Sequence, residues 1–393
     1  MKKVTNVPHL RFPRFNEEWE VKKIKDLGGF IGGGTPDTTI QEFWEGKTPW
    51  ISSSDIEIND IHSIQKTRFI TEDAIKLSAT KLIPKGGILI VSRVGIGKFA
   101  VADEELCTSQ DFTNLITTEN EYFLCYYFNA RSNDFIKLSQ GTSIKGFTTQ
   151  DIKSVEFFIP SITEQIKIAS FLSLIDEKIQ TQIKIIKQLE TLIKGLCEKL
   201  FSQEIRFKGF TEKWVEKKLG KLATFYSGGT PLTSKKEYFD GNIPFIRSGE
   251  INSNVTEQFI NELGLKNSSA KMVEVGDILY ALYGATSGEV AISKINGAIN
   301  QAVLCIKSQQ NHYFIYSYLF HKKEHIKNKY LQGGQGNLSA DIVKQIELPI
   351  PTLEEQTVIA NFLSAIDTKI QTEKNILDKY QSQKQYLLQY LFI

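Results

Sequence analysis

With 393 residues, 41% apolar and 23% charged, the chain has room for two or three domains with sizeable cores and lacks the composition of a disordered protein. Lys and Arg total 47 against 45 Asp and Glu, a formal net charge of +2, so bulk charge cannot drive nucleic-acid binding and only local patches could. No window holds the roughly 20 apolar residues of a membrane span, and the opening MKKVTNVPHLRFPRF lacks the apolar stretch of a secretory signal.

A cytoplasmic address is therefore expected. Cys107, Cys125, Cys197 and Cys305 are scattered, with no CxxC pair, and read as reduced, buried thiols rather than a disulfide frame or zinc site.

In chain order, the first legible element is a repeat. Residues 10–27 (LRFPRFNEEWEVKKIKDL) align with 205–222 (IRFKGFTEKWVEKKLGKL) at an offset of 195, with eight of 18 positions identical. At the same offset, the GGTP of residues 33–36 meets that of residues 228–231. Short β-rich runs such as residues 88–91 and 278–280, broken by Gly, Asn, Asp and Pro, predict mixed-sheet domains over 20–110 and 215–310. Helical spacing follows at 121–138 and 313–331, and each stretch ends in a polar Gly-rich loop, QGTSIKG (140–146) or QGGQGN (332–337).

The repeat returns at 160–181 and 351–372, where 14 of 22 positions agree at an offset of 191, against about one expected by composition. Ser161 with Glu164 and Thr352 with Glu355 each fit the S/T-x-x-E capping box and so start two helices. Apolar residues then recur in steps of three and four from Ala169 through Leu172, Ile175, Ile179, Ile186 and Ile193 to Leu200, and in the second helix from Leu363 to Leu391, interrupted by Lys374 and Lys384.

The expected fold is α+β: two similar mixed-sheet domains joined by two long antiparallel coiled-coil helices, an internal pseudo-two-fold duplication. The boundaries read as domain 1–160, helix 161–203, domain 204–351 and helix 352–393. The alternative is that each helix packs on its own domain. If the helices act as a spacer, four residues inserted after Thr191 should lengthen it by ~6 Å with the seam nearly in phase.

Catalytic chemistry is mostly missing. His321-Lys322-Lys323-Glu324-His325 matches the H-x-x-E-H string of zinc peptidases, but no third ligand is evident and the first copy has Ala130-Arg131-Ser132-Asn133-Asp134 in its place. Gly97-Lys98-Phe99 lacks the hydroxyl of a phosphate-binding loop. No catalytic residue and no metal site is assigned.

Candidate DNA-binding residues instead sit in polar loops at similar places of both copies. In the first these are Ser53, Ser54, Ser92, Arg93, Lys98 and Lys145; in the second, Arg247, Ser248, Tyr280, Tyr283, Gln335 and Asn337. Such side chains hydrogen-bond to base edges or phosphates. Arg93 and Arg247 are the foremost, since a guanidinium fork suits guanine.

The repeated GGTP and above all the doubled E-Q-x-x-I-A-x-F-L-S-x-I-D, at 164–176 and 355–367, resemble the DNA specificity subunits of type I restriction-modification systems. The resemblance covers nearly the whole chain. It implies a non-catalytic subunit in host defence, whose two target recognition domains each read part of an interrupted, asymmetric site on double-stranded DNA. The helices would set the spacing and dock two methyltransferase (modification) subunits, joined by two restriction subunits. Docking is expected at Glu164, Gln165, Phe171, Asp176, Glu355, Gln356, Phe362 and Asp367, while S-adenosylmethionine, ATP and magnesium would belong to the partners. A metallopeptidase or restriction-enzyme fragment and a coiled-coil adaptor stay open as alternatives.

Overall fold

The short apolar runs of each repeat become strands of two to six residues, and their alternation decides what each sheet packs against. The computed structural model describes residues 6–139, 146–330 and 338–393. The chain divides into two compact units: Met1–Gln182 with Ile376–Ile393, and Ile183–Asn375.

In unit 1 an antiparallel sheet is ordered Gly28–Gly32, Thr113–Thr117, Ile88–Ile90, Phe99–Val101. A second sheet is ordered Phe69–Ile70, Thr48–Ile51, Leu106–Thr108, Leu82–Ile83, and its central pair is parallel. Ile88 and Ile90 face a core shared with the helix Glu121–Ala130, while Leu89 and Val91 face the second sheet through Ile51, Ile83 and Leu106.

Unit 2 repeats this plan strand for strand. Its sheets are ordered Ala223–Ser227, Val303–Ser308, Ile278–Ala281, Val290–Ile292 and Phe259–Ile260, Ile243–Ile246, Gly297–Ile299, Lys271–Val273, again with a parallel central pair. Ile278 and Tyr280 face the core of the helix His312–His321, while Leu279 and Ala281 face the other sheet through Ile246 and Ile299.

The long helices span Ile162–Phe201 and Leu353–Tyr390, and each contributes to both units. In unit 1, Lys178 lies over the ring of Tyr380 and Leu172 shares a core with Leu387 and Leu391; in unit 2, Lys374 pairs with Glu190 and Ile193 shares a core with Leu363 and Ile370. The two helices thus pair antiparallel within each unit, so a helix packed only on its own domain is not what forms.

Phe392 stacks on Tyr127 with centroids 4.7 Å apart, and Phe201 meets Phe314 edge-on at 5.5 Å. Each helix therefore ends by plugging the core of one unit.

The doubled E-Q motif turns out to be an internal clamp. Arg11 donates two hydrogen bonds to the buried Glu164 carboxylate at 2.8 Å, and Arg206 does the same to Glu355 at 2.8 and 2.7 Å. Gln165 accepts from the Asn120 amide and donates to the Pro160 carbonyl; Gln356 repeats this with Asn311 and Pro351. In a capping box these glutamates would reach back to the N-cap amide. They reach instead to an arginine in the segment that enters each unit, because a fork-to-fork ion pair outcompetes a single amide donor.

The expectation that Glu164, Gln165, Glu355 and Gln356 dock a partner is corrected accordingly: they are buried and their polar atoms are engaged inside the fold. Asp176 is also buried, and Asp367 accepts from the Tyr313 hydroxyl. Phe171 is half-buried against Phe12, whereas Phe362 packs on Phe207 yet stays exposed.

Candidate nucleic-acid interface

The GGTP turn anchors the site in both units. A methyl group at Gly33 or Gly228 would collide with the carbonyl oxygen of Ser109 or Ile299, so only glycine lets the turn close onto the strand beside it. Thr35 then donates to Gln110, and Thr230 to Gln301 at 2.7 Å. The motif is a backbone joint, not a nucleotide cradle.

Next to this joint a hairpin tip projects from the antiparallel sheet, residues 91–98 in unit 1 and 281–289 in unit 2. The strings look unrelated, yet hydrogen bonds align them. The Ser92 amide donates to the Asp111 carbonyl at 2.7 Å and its own carbonyl accepts from Phe147; Leu282 does the same with Ala302 at 2.8 Å and with Leu338. One residue further on, exposed Arg93 and exposed Tyr283 therefore occupy equivalent places. The Lys98 ammonium donates to the Ser53 carbonyl at 2.9 Å and so ties the hairpin to the turn Ser53–Asp55.

This geometry sorts the expected residues. Arg93, Tyr283 and Ser54 are exposed, Lys98 and Ser248 are half-buried, and Lys145, Gln335 and Asn337 lie outside the described residues. Tyr280 is corrected: strand alternation turns it inward, where it is fully buried. Ser92 and Ser53 are buried too; the Ser92 hydroxyl donates to the Asp111 carbonyl, and Ser53 offers its carbonyl rather than its hydroxyl.

Arg247 is corrected as well. Its guanidinium donates to Glu250 at 3.0 and 3.2 Å and to Glu257 at 2.6 Å, which raises its pKa and leaves no free fork for guanine. In unit 1 the same role falls to Arg68, which sequence reasoning passed over. It neutralises Asp55, donates to Ser52 at 2.6 Å and lies 4.6 Å over the Trp50 ring.

The H-x-x-E-H string also resolves structurally. His321 ends one helix, and His325 lies on the next, Lys323–Tyr330, so the two histidines are not successive turns of one helix. Lys323 pairs with Glu289 at the base of the unit 2 hairpin. All four cysteines are buried and unpaired, and burial pushes the Cys107 and Cys197 thiols up to about 12 and Cys305 to about 11, so they stay protonated and unreactive. Among the described residues no helix is long and apolar enough to cross a membrane.

Residues 16–191 and 211–380 both match the family described as the type I restriction modification DNA specificity domain. The chain belongs to that family. It is 32% identical over 328 residues to the type I restriction enzyme MjaIX specificity subunit of Methanocaldococcus jannaschii, a match spanning 77% of this chain and 76% of the relative. It is 31% identical over 176 residues to the EcoR124I/EcoR124II specificity subunit of Escherichia coli, spanning 42% of this chain and 43% of that one. A crystal structure of the type I S subunit from M. genitalium shares the fold, with a TM-score of 0.68 at 20% identity over 98% of this chain and 99% of that one. The chain is thus a specificity component of the type I restriction-modification class rather than a catalyst.

Arg93 is exposed at the hairpin tip, and the expectation that its guanidinium fork addresses guanine can be tested by substitution. Arg93→Ala should lower discrimination at one base pair by roughly 1–3 kcal/mol while leaving the other half of the site unchanged. Competition binding with single-base variants of the site measures this, and equal affinities for wild type and variant would refute it.

Proposed function

We propose that the chain targets a type I restriction-modification complex to an interrupted, asymmetric site on double-stranded DNA, each unit reading one part. The observation that carries this reading is the contrast inside the duplication. Strand order, arginine clamp and GGTP joint are the same in both units, yet the tip of the hairpin bears Arg93 in one and Tyr283 in the other. A common frame with different side chains at one place is what two readers of different sequences require.

The helices support a second part of the proposal. The first carries exposed Ile162, Ile166 and Leu174, and the second exposed Leu353, Val358 and Phe362. At the offset of 191 Ile162 matches Leu353 and Phe362 matches half-buried Phe171, so each copy offers an apolar face to one of two modification subunits, and these residues replace the buried motif glutamates and glutamines as the docking surface. Two restriction subunits would complete the assembly in the cytoplasm. S-adenosylmethionine, ATP and magnesium would act on those partners.

Exchanging residues 20–150 for the equivalent domain of another such subunit should change one half of the methylated site and preserve the other. Methylome sequencing of cells carrying the hybrid tests this; two altered halves would end the idea of independent reading.

A further inference from the structure

The residue after Arg93 departs from ordinary backbone geometry. Val94 has φ 43°, the left-handed region, where a β-branched side chain crowds the backbone. Its equivalent in unit 2, by the hydrogen-bond register given above, is Gly284, with φ 81°. Both hairpins need a left-handed residue at this point, and unit 2 meets the need without strain. Unit 1 does not, although Gly95 and Gly97 close by show that glycine is readily accommodated in this tip.

Packing does not account for the valine. Val94 is 56% exposed and, among the described residues, belongs to none of the buried clusters. A strained residue left this exposed points to a role for its side chain outside the fold. What surrounds it narrows the partner: exposed Arg93 precedes it, and Lys98 is on the same tip.

We propose that Val94 is a specificity-determining residue that packs against the C5-methyl group of a thymine in the major groove, beside the base pair addressed by Arg93. This rests on the reading of the chain as a DNA-specificity subunit. A small branched apolar group held outward beside an arginine matches what a T·A pair next to a G·C pair presents there: a methyl group next to the guanine O6 and N7 acceptors. Unit 2, with Gly284, has no such contact and reads without it.

The test uses the complex assembled with its modification subunits and a duplex bearing its mapped site. Each thymine in turn is replaced by deoxyuridine, which removes only the methyl group. Wild type should lose about fourfold in affinity at one position of the unit 1 half-site, the worth of one buried methyl. Val94→Gly should be insensitive at that position, keep the other thymine responses, and melt no lower than wild type because the strain is gone.

Val94→Ala, which keeps a Cβ, should retain a smaller response and controls for any loss of folding in the glycine variant. The proposal is overturned if wild type and Val94→Gly give the same deoxyuridine profile. It is equally overturned if the unit 1 half-site contains no thymine, or if Val94→Gly weakens all duplexes uniformly, as loss of a wedge between base steps would. Binding without any sequence preference would instead remove the specificity reading on which the proposal rests.

Discussion

Replacing Lys384 by methionine should destabilise unit 1 by about 3–5 kcal/mol, the cost of leaving one member of a buried ion pair alone. Lys384 and Asp176 are each 7% exposed; the ammonium lies 2.6 Å from one carboxylate oxygen and donates to the Asn59 carbonyl at 2.8 Å. Tyr126 donates to the other oxygen at 2.6 Å, and His62 stands 3.4 Å away. The pair therefore joins the C-terminal helix to the first long helix and to the loop around Asn59.

Burial alone pushes the Asp176 carboxyl up, but His62, the Lys384 charge and Tyr126 outweigh it and hold the group below the ordinary carboxylate range. A carboxyl depressed in the folded state contributes stability that is fully present above its unfolded value, about 3.9. That contribution fades as pH falls from about 5 toward the folded value. Urea unfolding of the full chain at pH 7 and pH 4 should show a large deficit for Lys384→Met at pH 7 and a smaller one at pH 4. Adding Asp176→Leu should recover much of the loss, since the lone charge is then gone. A Lys384→Met variant within about 1 kcal/mol of wild type at pH 7 would refute the assignment.

Four residues inserted after Thr191 alone should disrupt unit 2, while the same insertion after both Gln182 and Asn375 should be tolerated. From the sequence alone, lengthening one helix is expected to suffice. The structure corrects this, because Ile193, Cys197, Leu200 and Phe201 downstream of Thr191 are embedded in the unit 2 core, and Glu190 is paired with Lys374 on the other helix. A ~6 Å shift with ~40° of rotation would pull that whole set out of place.

Insertions at the points where both helices pass from one unit to the other leave each core and each helix pairing intact. The doubly lengthened chain should direct methylation to the same half-site bases with a gap wider by roughly one to two base pairs, at ~3.4 Å each. Methylome mapping and co-purification with the modification subunits decide the matter. An unchanged gap in the doubly lengthened chain, or full assembly with the single insertion, would show that the helices do not set the spacing.

Local chemistry was enough to make the duplication, the strand-rich domains and the two helix starts legible. Repeat identity, alternation and a three-four apolar period are all properties of neighbouring residues, so a linear reading finds them, and the long helices begin at Ile162 and Leu353 as the prolines and Ser161 and Thr352 imply. Partner choice is not a neighbour property. Glu164 finds Arg11 across 153 residues, and Arg247 is claimed by Glu250 and Glu257, so both polar side chains that looked available from their motifs are already satisfied. Lys384 looked like a defect in a seam, yet it is the residue that meets buried Asp176, whereas Ile193, its counterpart at an offset of 191, joins an apolar core.

The equivalence of Arg93 with Tyr283, and of strained Val94 with Gly284, was hidden because the two hairpin strings agree at no position of that register. Only backbone hydrogen bonds to the strand beside each hairpin set the register that places them at one spot. The candidate interface was therefore half legible: residue types and loops from the sequence, but exposure, pairing and backbone strain from the tertiary fold, which alone determines which polar groups are left for a partner.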